Sequence, residues 1–366
     1  MIPMLNLPRL HAPFEDELKA AFDAVLSSGR FINGPAVTRF EDELAAHVGV
    51  AHAIGVSSGT DALLATMMAL HVKPGDRVIT TPYTFFATAG CISRLGATPV
   101  FVDIDPESFN IDVARLEEAI TDDTVGIIPV HLFGRCADMT EVNAVAARHD
   151  LWVLEDAAQA VGATHAGASA GTMGIAGAFS FFPAKNLGAF GDGGAIITDD
   201  DDLAAEIRAL RGHGAKVKYY HDLVGGNFRL DALQAALLSV KLPHLAGWEE
   251  GRRRVAGKYR ETLSEFPGIT LPPVKEGDDH VFNQYVVRCD RRDELKAAFE
   301  EAGVGCAIYY PVPLHLQPCF ADLGYGPGDF PHSERAAKET LAIPVDPALE
   351  ENDQLVIINL IQRILK

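Results

Sequence analysis

Leu151-Trp-Val-Leu-Glu-Asp-Ala-Ala-Gln159 is a short apolar run that ends in two carboxylates. An apolar run without alternation reads as a strand buried on both faces. Its carboxyl end is where open α/β sheets hold their ligands. Working outward, Ala51-His-Ala-Ile-Gly-Val56, Val78-Ile-Thr-Thr81, Thr98-Pro-Val-Phe-Val102 and Thr124-Val-Gly-Ile-Ile-Pro-Val130 are runs of the same kind. Helical periodicity separates them over residues 61–70, 84–95, 112–120 and 138–149. This alternation predicts an α/β fold with a mostly parallel central sheet and helices on both faces.

Further helices are expected over 13–28 and 38–47, broken by Ser27-Ser-Gly-Arg-Phe-Ile-Asn-Gly-Pro35. Downstream, a strand at 194–198 and a helix at 203–210 complete the region, with Asp199-Asp-Asp-Asp202 as a solvated turn and first helical turn. A long amphipathic stretch over 231–263 follows, which Pro243 should kink or split. Beyond Pro267 the pattern changes to a strand at 283–289, a helix at 293–302 and the loop Tyr309-Tyr-Pro-Val-Pro-Leu-His-Leu-Gln-Pro318. The chain has 366 residues, more than one core usually serves, so two domains are expected: a large one over 1–250 and a smaller α+β one over 251–366.

With 48% apolar and 22% charged residues the composition is that of a folded globular protein. The formal net charge of −19 comes from scattered acids, which opposes nucleic-acid binding and an anionic membrane surface as partners. Five cysteines without Cys-x-x-Cys spacing argue against a disulfide framework or a structural zinc site. No basic leader with an apolar stretch is seen, and no window approaches a membrane span. A reducing cytoplasm is the expected location.

The chemistry gathers on a second run, Phe179-Ser-Phe-Phe-Pro-Ala-Lys-Asn-Leu-Gly-Ala-Phe-Gly-Asp-Gly-Gly194. Lys185 there is a lone lysine among small and aromatic residues. Desolvation lowers an amine's pKa and leaves it neutral enough to form a Schiff base with an aldehyde. Asp156, at the end of the opening strand, suits a protonated pyridine nitrogen. Together they read as the two ends of a pyridoxal phosphate site, no metal being called for. Ser57-Ser-Gly-Thr60 opens a helix and reads either as a phosphate cradle or as an ordinary N-cap. In Pro82-Tyr-Thr-Phe-Phe-Ala-Thr88 an aromatic ring either stacks on a planar ligand or joins the core. Arg229 and Asp231 read as a salt-bridged helix start, and His315 as a pocket residue or part of a structural loop.

Seven ordered motifs carry a resemblance that spans nearly the whole chain: Ser58-Gly-Thr60, Thr84-Phe-Phe-Ala-Thr88, Glu155-Asp-Ala-Ala-Gln159, Ser180-Phe-Phe-Pro-Ala-Lys-Asn-Leu187, Gly191-Asp-Gly-Gly194, Asn227-Phe-Arg-Leu-Asp231 and Pro313-Leu-His-Leu-Gln317. The sequence resembles the DegT/DnrJ/EryC1/StrS family of pyridoxal-phosphate-dependent nucleotide-sugar aminotransferases. The resemblance implies fold type I, the aspartate aminotransferase type, in a homodimer with sites at the subunit interface. By motif match it implies that Lys185 links the cofactor, Asp156 meets the pyridine nitrogen and Phe85 stacks on the ring. Gly59, Thr60 and Ser180 would hold the phosphate, Gln159 the ring hydroxyl side, and Asn227 the phosphate of the neighbouring subunit's site. Arg229, Tyr309, Tyr310 and His315 are implied substrate contacts.

The activity so implied moves an amino group from L-glutamate, through pyridoxamine phosphate, onto a nucleotide-linked ketohexose. The run of motifs resembles the branch that aminates C3, with a 4-keto sugar as the other reading. Many family members have His-Tyr-Pro where this chain has Tyr309-Tyr310-Pro311, which bears on the sugar side of the site. A sugar dehydratase on this scaffold would carry histidine in place of Lys185, and a regulator without chemistry would lose Lys185 or Asp156.

Overall fold

The computed structural model describes residues 1–274 and 277–366. Its centre is a seven-stranded sheet: β1 (His52–Val56), β2 (Arg77–Thr80), β3 (Thr98–Phe101), β4 (Thr124–Ile127), β5 (Trp152–Asp156), β6 (Ala176–Ser180) and β7 (Gly194–Thr198). The spatial order is β1-β7-β6-β5-β4-β2-β3. Only β7 runs against its neighbours; the remaining pairings are parallel. The sheet is therefore mostly parallel, as the strand–helix alternation predicts.

Alternation along each strand splits the core in two, because successive side chains of a strand point to opposite faces. Ile54, Leu154, Ala178 and Ile196 pack with Leu63 and Met67 of α3 (Gly59–Ala69) and with Ile207 and Leu210 of α6 (Asp201–Arg211). Their neighbours Ala53, Phe179 and Ile197 pack on the other face with Phe40 and Leu44 of α2 (Pro35–Val48) and with Ala235 and Leu238 of α7 (Ala232–Lys241). Ile79, Ile127 and Val153 meet Val142 and Val145 of α5 (Met139–Arg148). Burying a leucine such as Leu154 completely contributes about 2 kcal/mol.

The helix over 13–28 is α1 (Glu15–Ser28), and the stretch 231–263 is split at Pro243 into α7 and α8 (Leu245–Leu263) by one 3-10 turn, Leu242–His244. Two expected helices are shorter than the periodicity suggested. That at 84–95 is α4 (Ala87–Arg94), leaving residues 84–86 in the loop after β2; that at 112–120 is a 3-10 turn and a single α turn. The strand β6 was not legible, since Ala-Gly-Ala-Phe-Ser carries no period.

A second core surrounds the antiparallel pair β8 (Tyr285–Arg288) and β9 (Thr340–Ile343). Tyr259, Leu295, Phe299, Leu341, Ile357 and Ile361 fill it, drawn from α8, α9 (Arg292–Glu301), β9 and α11 (Glu351–Leu365), and Ile2 joins through a backbone bridge to Val304. The two cores are fastened by buried polar contacts. Asp103, just after β3, accepts the N–H of His332 and of Ser333, both at 2.9 Å, at the start of α10 (Pro331–Glu339). Fully buried Tyr83 donates its hydroxyl to the Tyr309 carbonyl at 2.6 Å. Among the described residues no helix is long and apolar enough to cross a membrane.

Candidate functional site

The site forms at the carboxyl ends of the parallel strands, where the loops after β1, β2 and β5 converge with the end of β6. At the end of β5 the two carboxylates part. Glu155 and Asp156 are adjacent, so the pleat sends them to opposite faces. Glu155 is fully buried and accepts the N–H groups of Gly171 (2.7 Å), Met173 (2.5 Å) and Gly174 (2.6 Å). It also meets His131 Nε2 at 2.7 Å. The Nδ1 of His131 accepts the N–H of Ala137, so the ring proton lies on Nε2 and is donated to Glu155. Glu155 thus holds a loop in place and has no lone pair to spare for a ligand.

Asp156 faces the site. It is 5% exposed; Oδ2 accepts the Thr88 hydroxyl at 2.7 Å and Oδ1 the N–H of Ala158 at 3.2 Å. Burial pushes its pKa up, against the Thr88 and Ala158 hydrogen bonds and the charge of Lys185. Lys185 lies on a turn closed by its own N–H to the Phe182 carbonyl at 2.8 Å. Burial pushes its amine down to about 8, while Asp156 pulls it up. Each group shifts the other's proton affinity, so the chain brings the amine and the carboxylate into one electrostatic neighbourhood.

Helix α3 begins beside them. Ser58 caps it by accepting the Asp61 N–H at 3.0 Å, and Ser57 spends its hydroxyl on Asp61 Oδ2 at 2.5 Å. The N-cap reading holds for Ser58, yet the first-turn N–H groups of Gly59 and Thr60 have no acceptor inside an α-helix. A Cβ at Gly59 would lie 2.8 Å from Ser180 Cβ, so only glycine lets the helix start approach the end of β6. Ser180 Oγ accepts the Phe182 N–H at 3.3 Å. The dipole and donors of a helix start, beside a hydroxyl, form an anion site.

Neither phenylalanine of the loop after β2 joins the core: Phe85 is 58% and Phe86 48% exposed. Phe85 stands 6.3 Å from the Tyr310 ring, while Phe86 turns toward Phe320. Gln159 accepts the Phe133 N–H at 2.6 Å and donates to the Tyr310 hydroxyl at 3.1 Å, linking β5's loop to the Tyr309-Tyr310 segment. Tyr309 and Tyr310 are half-buried, and burial raises the pKa of both phenols, so both keep their protons.

Asn227, Arg229 and His315 make other contacts. Asn227 is exposed, its backbone bridged to Gly212, with no side-chain hydrogen bond to Gly59, Thr60 or Ser180 in its own chain. Arg229 has no ion pair with Asp231 among the described residues; its backbone bridges to Val56, next to the α3 turn, and its buried Nε has no acceptor. His315 is 2% exposed, meets Glu334 at 3.2 Å and sets its ring edge-on to Phe330. It makes no hydrogen bond or ring contact with Lys185, Asp156 or Tyr310.

Sequence reasoning missed Thr88, although it lies within a quoted run, and missed the His131–Glu155 pair. For His131 the only signal was a histidine after an apolar run. Its partner is not readable without the fold.

Pyridoxal phosphate fits what is here: a helix start with first-turn N–H donors beside Ser180, a buried Arg229 Nε without an acceptor, a buried carboxylate and an amine of lowered pKa. Comparison with known proteins agrees. The profile of the DegT/DnrJ/EryC1/StrS aminotransferase family matches residues 14–362. A "pleiotropic regulatory protein" of Geobacillus stearothermophilus is 51% identical, over 98% of this chain and 96% of its own. The UDP-N-acetyl-3-dehydro-alpha-D-glucosamine 3-aminotransferase of Acidithiobacillus ferrooxidans is 44% identical, over 100% and 98%. Among solved structures, NtdA from Bacillus subtilis with bound cofactor PMP superposes with a TM-score of 0.90, at 32% identity over 99% of this chain and 83% of that one.

Proposed function

The chain belongs to the DegT/DnrJ/EryC1/StrS aminotransferase family and is a pyridoxal-phosphate-dependent sugar aminotransferase; on that premise we propose that it transfers an amino group from L-glutamate to C3 of a nucleotide-linked 3-ketohexose. The observation that carries this reading is the buried Asp156 carboxylate at the end of β5, oriented by the Thr88 hydroxyl at 2.7 Å, together with the desolvated Lys185 amine. The cofactor, when bound, supplies an aldehyde that exchanges amines and a protonated ring that takes up negative charge.

This chain's residues do the rest. The N–H groups of Gly59 and Thr60 with Ser180 Oγ hold the phosphate. Asp156 keeps the proton on the pyridine nitrogen, Thr88 keeps Asp156 oriented, and Phe85 covers the ring. Gln159 Nε2, already bonded to Tyr310, has a second N–H for the ring hydroxyl side. Lys185 Nζ would link the cofactor and, as general base and acid, would move the proton at the substrate carbon that bears nitrogen. Arg229, Tyr309, Tyr310 and His315 stand on the substrate side, with the Arg229 guanidinium suited to an anionic group.

A homodimer in a reducing cytoplasm fits this reading. Phe22, Leu26, Phe31, Ile32, Phe182 and Phe190 are each more than 40% exposed, a set of large apolar side chains suited to a second copy. Asn227, which does not reach the phosphate residues of its own chain, would reach those of the partner. All five cysteines are free thiols. The name of the Acidithiobacillus ferrooxidans relative favours C3. A purely regulatory role, suggested by the name of the Geobacillus relative, gives no use to an amine beside a buried carboxylate.

Purified enzyme assayed with L-glutamate against UDP- and dTDP-linked 3- and 4-ketosugars should aminate a 3-keto substrate; turnover confined to 4-keto sugars would refute the C3 assignment. The lowered amine pKa gives a second expectation. At pH 7 an amine of pKa about 8 is neutral roughly 300 times more often than an ordinary lysine of pKa about 10.5. Capture of pyridoxal phosphate by cofactor-free protein, followed by absorbance, should therefore rise with pH and level off above about pH 9. A rate that still rises roughly eightfold between pH 9 and pH 10 would show an unperturbed lysine.

A further inference from the structure

The turn that carries Lys185 is gripped from outside by a second lysine. Lys241, the last residue of α7, is 1% exposed and has no carboxylate partner among the described residues. Its ammonium donates to the Gly188 carbonyl and lies 5.2 Å from the Phe190 ring centre and 5.9 Å from that of Trp248. Gly188 is three residues after Lys185, and Phe190 belongs to the same run. A Cβ at Gly188 would fall 2.3 Å from the Pro183 carbonyl oxygen, so the turn is closed on itself and fixing the Gly188 carbonyl fixes its whole path.

A buried ammonium with one carbonyl and two aromatic faces is an expensive way to fill space. A methionine would occupy the same volume without desolvating a charge. Only the directional bond to Gly188 distinguishes the lysine. The same helix holds the turn a second time, where Gln234 Oε1 accepts the Phe190 N–H at 2.8 Å. A third anchor comes from elsewhere, Asn186 Nδ2 donating to the Val281 carbonyl at 3.1 Å. These anchors flank Lys185 on its C-terminal side.

We propose that Lys241 is a positioning residue for the reaction: through the Gly188 carbonyl it sets where the Lys185 amine stands relative to Asp156. The inference rests on the reading of Lys185 as the amine that links the cofactor. The ammonium's desolvation, which brings its pKa down to about 8, is consistent with a group held for its geometry at a cost in charge.

The test compares two ways of binding. Full-length Lys241→Met protein is freed of cofactor and mixed with pyridoxal phosphate; linkage is trapped with borohydride and the modified peptide identified by mass spectrometry. Affinity for pyridoxamine phosphate, which needs no link to Lys185, is measured in parallel by fluorescence quenching. Linkage at Lys185 should slow about tenfold or more in Lys241→Met, with pyridoxamine phosphate affinity within about twofold of the parent, and Lys241→Arg should recover part of the rate. An unchanged linkage rate in folded Lys241→Met overturns the proposal. So does a parallel loss of linkage, pyridoxamine phosphate affinity and melting temperature, which marks a merely structural residue. Should Lys241→Met not fold, Lys241→Gln, which keeps an N–H donor on a shorter stem, is judged by the same two measurements. Parent protein labelled at a residue other than Lys185 would instead refute the reading of Lys185, and this one with it.

Discussion

Lys185→Ala is expected to lower the half-reaction with L-glutamate by at least about 10³-fold, while pyridoxamine phosphate still binds. Two losses combine. The amine that links the cofactor is gone, and so is the group that moves the proton, a role that by itself accounts for about 10²- to 10⁴-fold in enzymes. Alanine leaves a space beside Asp156 without a charge to oppose it, so the carboxyl should take up a proton more readily than in the parent; the sign follows from the pull that Lys185 exerts on Asp156. Single-turnover absorbance changes on mixing loaded protein with L-glutamate would measure the effect. A variant within tenfold of the parent would show that another amine does this work.

Asp156→Asn should leave the fold intact and slow the same half-reaction by about 10²-fold. The amide keeps the shape of the carboxylate and can still accept the Thr88 hydroxyl, which now reaches Oδ2 at 2.7 Å. What it loses is the negative charge that holds a proton on the ring nitrogen, an opposite-charge contact in a buried site that shifts a pKa by one to three units. One unit corresponds to about 1.4 kcal/mol, so the middle of that range gives the stated factor. The bound chromophore should also change its absorbance with pH relative to the parent. An unaltered rate and spectrum would place the ring nitrogen elsewhere.

Much of the candidate site is readable in the chain because it lies at junctions of periodic elements. The end of β5 announces Asp156, and a lysine among glycines and aromatics announces Lys185. The β1 run into Ser57-Ser-Gly-Thr60 announces the start of α3 in the same way. Where the reading stopped, the missing information was a partner distant in sequence. Thr88 and Asp156 are 68 residues apart, and Tyr83 and Tyr309 are 226 apart. The helix α11 is a different case: its buried Gln354, Ile357, Ile358, Ile361 and Leu365 follow a helical period that the chain displays openly. Arg229 shows the reverse error, a local salt bridge to Asp231 that looked natural and did not form, because Arg229 is extended against Val56 before the helix begins.

Period and composition alone determine that apolar runs become strands, that helices form between them, that a carboxylate sits at a strand end and that a lone lysine sits among small and aromatic residues. These are local consequences of side-chain spacing and desolvation, which need no knowledge of neighbours. Only the tertiary structure decides that Asp156 faces Thr88 and Lys185 while adjacent Glu155 is consumed by His131 and three backbone N–H groups. The pleat fixes that the two point apart, but which face carries the site depends on what packs there. Likewise Lys241 reads as one more helix-end cation until the fold seals it under Trp248 and against Gly188. Burial is a property of the assembled layers, and burial turns an ordinary lysine into a strut.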